Sequence, residues 1–283
     1  MLNADLYLLR CPTCGGHLAG PEAGGGDIPD GAALTCGSCP ASWPVQDGLP
    51  RLYVEENIAG TDRVMRVLYD TLHRFHDPAV RYVLPLMEFG SEETLRNGYM
   101  RRLDLASLSS RPDGEPLRIL EVSIGAGANL PRIQRDLPSG LDVEIWGVDL
   151  SEGMLASCRR RLQSGNHPGV RLLMADAHVL PFPDQSFDRV FHVGAIGGFQ
   201  DPGLALREMA RVARLGTPIV ICDEQLDKSR RNSMYHKAMF KMLTWYDRSP
   251  HAPTAQVPEG AIDVLEEAVS RFYYCLSFKM PVE

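Results

Sequence analysis

At 283 residues the chain has room for one domain of about 200 residues and a small module. Its 44% hydrophobic and 23% charged content is that of an ordinary globular protein, and no apolar run nears the roughly 20 residues that span a bilayer. The net charge is −7, and residues 1–60 set only Arg10 and Arg51 against seven acids. That balance argues against a nucleic-acid partner, whose phosphates call for a basic face.

Met1 to Arg10 carries neither a basic leader nor an apolar core, so a cytoplasmic protein is expected. Two knuckles follow, Cys11-Pro-Thr-Cys14 and Cys36-Gly-Ser-Cys39, with 21 residues between them. Four thiolates in paired CxxC motifs suit tetrahedral Zn2+, and in a reducing compartment they point to metal more than to disulfides. Cys11, Cys14, Cys36 and Cys39 are therefore the expected ligands of a structural zinc. Residues 1–55 read as a zinc ribbon with a Gly-rich loop at 20–32. Cys158, Cys222 and Cys275 read as buried apolar residues.

From Thr61 the pattern is helical. Val64, Val67, Leu68, Thr71, Leu72 and Phe75 keep helical spacing. Asp77-Pro78 breaks that helix. Val80, Val83, Leu84 and Met87 suggest a second, and Ser91 is an N-cap for a third reaching about Leu108. Residues 61–108 thus form a helical cap. His73, His76 and Tyr99 within it are candidates for anchoring a substrate or taking a proton; for the two histidines the alternative is a solvated helix face.

Residues 109–283 alternate strand and helix. Strands are expected at 117–123, 143–149, 170–174, 187–193 and 218–223, and helices at 127–137, 152–163 and 203–214. This spacing implies a parallel sheet with helices on both faces. Glu121-Val-Ser-Ile-Gly-Ala-Gly-Ala-Asn129 joins the first strand to its helix, where small residues and free N–H groups admit a ligand close to the backbone. Asp149 ends the second strand, where a carboxylate meets ribose hydroxyls in such folds. Asp176-Ala177 follows the third strand, then Leu180-Pro-Phe-Pro-Asp-Gln-Ser-Phe-Asp188, and Arg211-Val-Ala-Arg-Leu-Gly216 precedes the fifth.

Across about 117–223 these motifs resemble the class I methyltransferases that use S-adenosylmethionine (SAM), above all the ubiquinone/menaquinone-methyltransferase-like branch. The resemblance implies a Rossmann-like α/β sheet and a SAM site. Glu121, Gly125 and Gly127 would line its methionine end, Asp149 its ribose, and Asp176 with Ala177 its adenine. Leu150, Met154 and His192 complete the expected cofactor contacts. Ser123 departs from the pattern, standing where that family has its first glycine. A nicotinamide cofactor is the chief competitor for such a fold, and the Asp176–Asp188 segment argues against it. Residues 6–55, with Ala41-Ser-Trp-Pro-Val-Gln-Asp-Gly-Leu-Pro-Arg-Leu52, resemble small zinc-ribbon proteins that activate methyltransferases as separate subunits. Here the ribbon is fused to the sheet, which implies a structural or regulatory role in cis.

Beyond the fifth strand, 225–251 holds six basic residues and two acids. A helix at about 228–247 mixes Lys228, Arg230, Arg231, Lys237 and Lys241 with Met234, Met239, Phe240, Met242, Leu243 and Trp245. It reads as a cap helix on the sheet, the alternative being transient contact with a membrane surface. Arg271 to Lys279 reads as a closing strand. The expected reaction is methyl transfer from SAM to an oxygen, nitrogen or carbon of a small, partly hydrophobic molecule. The 61–108 cap and the 225–258 insertion would enclose it, and His192 is the first choice for orienting the acceptor or taking its proton. The rival reading is an RNA-base methyltransferase that grips RNA with its ribbon. The acidic ribbon argues against it, as does the lack of an Asn-Pro-Pro-Tyr-type motif at Phe191-His-Val-Gly-Ala195.

Overall fold

The computed structural model describes residues 3–21, 26–78, 92–165, 169–194, 196–247 and 249–282, with only the backbone path given over 75–78 and 92–95. The expected helix through Val80 to Met87 lies outside the described residues.

Five consecutive parallel strands carry the architecture: β5 (Leu117–Val122), β6 (Val143–Asp149), β7 (Val170–Ala175), β8 (Arg189–Val193) and β9 (Ile219–Glu224). Each falls within two residues of its expected bounds. β11 (Tyr273–Lys279) runs antiparallel to β9, and β10 (Ile262–Ala268) closes that edge. At the other edge stand β1 (Leu18–Ala19), β2 (Ala33–Cys36), β3 (Ser42–Gln46) and β4 (Leu49–Leu52). The strand order is β1-β2-β3-β4-β7-β6-β5-β8-β9-β11-β10.

The sheet buries both faces. Every residue of β5 is buried, and its side chains alternate between two cores. Leu120 and Val122 pack with Trp146, Leu173 and α5 (Pro202–Val212). Ile119 packs instead with Ile145, Leu172, α2 (Glu92–Leu103), α3 (Leu130–Asp136) and α4 (Glu152–Ser164). Local signals start these helices: Ser151 caps α4 by accepting from Met154 N, and Asp201 caps α5 by accepting from Leu204 N ahead of Pro202.

The cysteine-bearing segment extends this sheet. β4 pairs in parallel with β7, Arg51 opposite Met174 and Leu52 opposite Ala175. Leu8, Leu9, Leu34, Trp43 and Val45 share one core with Trp146 and Phe182. Arg171 joins Asp5 at 2.7 Å, and Arg118 donates to the Tyr7 hydroxyl at 2.7 Å. α1 (Gly60–Pro78) then crosses to α4, where Asp70 accepts from the Ser151 hydroxyl and the Gly153 amide. α6 (Met234–Leu243), shorter than the expected 228–247, lays Phe240 on Phe272 and exposes Met234, Met242 and the following Trp245. Among the described residues no helix is long and apolar enough to cross a membrane.

Candidate functional site

The chain leaves β5 towards β6 and β7, then returns to place β8 and β9 on the other side. Such a reversal opens a crevice at the carboxyl ends of the strands. A cavity of about 430 Å³ lies there, lined from the strand ends by Glu121, Asp149, Ala175, Val193 and Glu224. α1 contributes Met65 and Tyr69 to its wall, α2 contributes Arg96 and Tyr99, and the segment after α6 contributes Trp245 and Tyr246.

The loop after β5 turns through three left-handed residues, Ser123 (φ 57°), Gly125 (φ 56°) and Gly127 (φ 73°). At Gly127 a Cβ would come within 2.7 Å of the Cys158 sulfur, so glycine is required there. Asp149 braces the loop: its Oδ2 accepts from Gly125 N and its Oδ1 from Ser151 N, both at 2.8 Å. Ser123 holds the costly conformation without glycine's freedom. Ser123→Gly is therefore expected to stabilise the fold by about 0.5–1 kcal/mol, the left-handed penalty less glycine's extra chain entropy. A thermal melt showing a lower midpoint than wild type would count against that reading.

At one end of the cavity a buried network surrounds Glu121. Arg96 Nη1 and the Tyr99 hydroxyl donate to Asn129 Oδ1 at 2.5 and 2.6 Å, and Asn129 Nδ2 donates to Glu121 Oε1 at 2.6 Å. Glu121 Oε2 is buried without a hydrogen-bond partner. Burial pushes the Glu121 carboxyl up to about 8, against the pull of Asn129 and Arg96. Two further polar groups face the cavity. Asp176 Oδ1 accepts from the amide and Nδ1 of His178, and Asp62 of α1 stands 3.8 Å from the same Nδ1. Burial opposes charge on His178, but the bond to Asp176 and the two carboxylates outweigh it and raise its pKa. At the end of β9, Tyr246 donates to Glu224 Oε2 at 2.8 Å. Burial and the adjacent Asp223 hold the Glu224 carboxyl well above its ordinary range.

The expected cofactor residues Glu121, Gly125, Asp149, Leu150, Met154, Asp176 and Ala177 all line this cavity. Gly127 lies just behind, packed on Cys158 and Leu130. His192 is placed differently from expectation. Strand alternation turns Val193 into the cavity and His192 inward, fully buried, with Nδ1–H donating to the Val122 carbonyl at 2.9 Å and the ring against Phe199. Burial lowers its pKa, so it is neutral. His73 is likewise turned away: its Nδ1 meets the Ser157 hydroxyl between α1 and α4. The His76 side chain lies outside the described residues. Tyr99 lines the cavity, but its hydroxyl is committed to Asn129 and burial raises its pKa, which suits a strut better than a base. Asp62, Arg96, His178 and Tyr246 are cavity residues that the sequence did not single out for roles.

The four cysteines converge. Their sulfurs lie within 4.8 Å of one another, with Cys11–Cys39 at 3.8 Å and Cys14–Cys36 at 3.5 Å. Zn–S bonds of about 2.3 Å place tetrahedral sulfurs about 3.8 Å apart. The Ser38 amide donates to Cys36 Sγ and draws that thiol down to about 7. The residues present thus fit a closed, four-thiolate zinc site.

Residues 120–221 match the family model described as a methyltransferase domain. The matched stretch runs from the middle of β5 to the middle of β9 and so takes in the strand ends at Glu121, Asp149, Ala175 and Val193. The chain is 36% identical over 105 residues to a phosphatidylethanolamine N-methyltransferase of Cereibacter sphaeroides, covering 37% of this chain and 49% of that one. It is 34% identical over 151 residues to a demethylmenaquinone methyltransferase of Thermus thermophilus, covering 53% and 63%. The chain thus spans about half to two thirds of the length of these curated relatives. Among solved structures, phosphoethanolamine N-methyltransferase 2 of Haemonchus contortus, in complex with SAM, superposes with a TM-score of 0.57 at 14% identity, over 82% of this chain and 62% of that one. The fold is the Rossmann-like methyltransferase fold, a mixed α/β sheet with helices on both faces.

Proposed function

We propose that this chain is a SAM-dependent methyltransferase of a small, partly hydrophobic acceptor. The observation that carries the reading is the joint placement of Glu121, Asp149 and Asp176 at three successive strand ends around one cavity. The residues fit the cofactor. Glu121 Oε2, buried without a hydrogen-bond partner, would hold a cation such as the methionine ammonium, and Asp149, which lines the cavity, would hold the ribose. Asp176 and Ala177, which line the same cavity, would border the adenine. Leu150 and Met154 supply apolar wall. When bound, SAM supplies a methyl group already activated on a sulfonium, so the protein's task is chiefly to align the acceptor and remove a proton.

In this reading residues 1–55 are a zinc ribbon, 61–108 a helical cap, and 109–283 the cofactor-binding domain with an insertion at 225–258. Tyr69, Tyr99 and Trp245 support the enclosure of the acceptor by cap and insertion, since each lines the cavity. His192 serves as a positioning residue: it supports Phe199, itself a lining residue, from behind. RNA is disfavoured by the acidic ribbon, and a small-molecule acceptor is supported by the concave, aromatic-lined cavity.

Calorimetry tests the cofactor. SAM is expected to bind, and Asp149→Ala to weaken it by about 1–3 kcal/mol, the range for losing a charged hydrogen-bond partner. Binding of NADH without binding of SAM would overturn the proposal. Transfer of labelled methyl from SAM to purified rRNA or tRNA, with strong salt dependence and none to small-molecule extract, would replace the acceptor class.

A further inference from the structure

The acceptor end of the cavity combines the Glu224 carboxyl, which is hydrogen-bonded to the neighbouring Asp223, with four aromatic rings. Glu224 ends β9 and lines the cavity. Tyr246 donates to it, and Tyr273 stands opposite it in the β9–β11 register. Trp245 packs edge-on against Tyr246, with ring centroids 6.1 Å apart. Tyr69 reaches in from α1, close enough that Glu224 and Asp223 act on its hydroxyl electrostatically. All four rings line the same cavity. The lining cations are engaged elsewhere: Arg66 pairs with Glu55 at 2.9 Å and covers Tyr53, while Arg96 serves Asn129 and Tyr99.

Aromatic faces carry negative potential and attract organic cations, the more so when water is excluded. A carboxyl group beside them adds a counter-charge. A neutral phenol or enol brings no charge to pair with a carboxylate, and Glu224 would keep its proton beside it. An ammonium group satisfies both the rings and the carboxylate.

We propose that the pocket formed by Glu224, Tyr69, Trp245, Tyr246 and Tyr273 recognises an organic ammonium, making the acceptor an amine that is methylated on nitrogen. This rests on the SAM-dependent reading above and names its substrate class. The step balances simply. The acceptor enters as an ammonium and its charge displaces the resting Glu224 proton to solvent; the ammonium then gives one of its own protons to the carboxylate so formed. The freed nitrogen lone pair bonds to the methyl carbon as the carbon–sulfur bond breaks, and that bond's electrons stay on sulfur as a thioether. The product leaves as a methylated ammonium, and Glu224 is left protonated, as it began.

The test is equilibrium binding to the full-length protein saturated with S-adenosylhomocysteine, so that turnover plays no part. The probes are choline, a cation that accepts no further methyl, and its uncharged tert-butyl isostere, in which carbon replaces nitrogen. Choline is expected to bind at least about tenfold more tightly than the isostere, as a desolvated cation–aromatic contact allows. Glu224→Gln should remove most of that preference and leave isostere binding unchanged. Should Glu224→Gln fail to fold, Trp245→Leu replaces it: that side chain is 61% exposed, and its loss should weaken choline several-fold. Equal binding of the two probes, no choline binding, or an unchanged preference in both variants would overturn the proposal. Failure of S-adenosylhomocysteine itself to bind would instead strike the cofactor reading.

Discussion

Replacing Cys39 with Ser, or stripping metal with a chelator, is expected to unfold the ribbon while leaving the central sheet formed. Purified protein should contain one zinc per chain, held by Cys11, Cys14, Cys36 and Cys39. Zinc binding contributes about 10–16 kcal/mol of apparent folding free energy in small zinc-finger peptides, against a whole-domain stability of about 5–15 kcal/mol. The ribbon's own strands are only two to five residues long, so without the metal the two knuckles are no longer joined and the segment is left with the core it shares with the sheet and the β4–β7 pairing. Limited proteolysis should then cut within residues 1–55, and the thermal midpoint should fall by about 2–4 °C for each kcal/mol lost. Elemental analysis finding no zinc alongside four titratable thiols would end this account.

SAM affinity is expected to rise with pH between about 5.5 and 7.5, and Glu121→Gln to flatten that rise. The folded protein holds the Glu121 proton up to about pH 8, whereas the unfolded chain releases it near the ordinary glutamate value of about 4.3. The carboxyl's contribution to stability is therefore complete below the unfolded value and is lost as pH rises through the folded one. A cationic ligand at Oε2 favours the ionised form, so binding must expel the proton, and expulsion is easier at higher pH. The groups acting on Glu121 are Asn129 and Arg96, Asp149, and more weakly Arg161; their sum still leaves burial dominant. Calorimetry in buffers of different ionisation heat should register proton release on binding. At pH 7.5 the Gln variant should bind about 10- to 100-fold more weakly, the value of a charge-assisted bond. A wild-type affinity that is flat over this range, with no proton release, would show that the cofactor's cation lies elsewhere.

The strands were legible because their signals are local. The fully buried β5 reads as a short, mostly apolar run interrupted by Arg118 and Glu121, and Asp149 and Asp176 stand where strands stop. The cysteine pairs were legible from spacing alone. What the sequence hides is direction and partnership. His192 sits one residue from Val193, and the pleat turns one inward and the other to the cavity; a one-residue difference in pairing exchanges them. The Arg96–Asn129–Glu121 chain joins residues up to 33 positions apart, and Asp62 meets His178 from a separate helix. No periodicity announces such contacts. Trp245 and Tyr246, by contrast, lay in an insertion already marked by its aromatic content.

The parallel pairing of β4 with β7 has a further consequence for this chain in the cell. β7 is the outermost strand of the five-stranded parallel core, and its free side is covered by its own N-terminal segment. A bare strand edge is a template for intermolecular β-pairing. Residues 170–175 of β7, Val-Arg-Leu-Leu-Met-Ala, are largely apolar and without proline, the composition that favours such stacking. With zinc bound as proposed, the cysteine knuckles would keep β4 in place and so act as a solubility safeguard. Starved of zinc, the protein should be lost first to self-association rather than to a failing active site. Light scattering should grow upon chelation before methyl transfer declines in the molecules that remain dispersed.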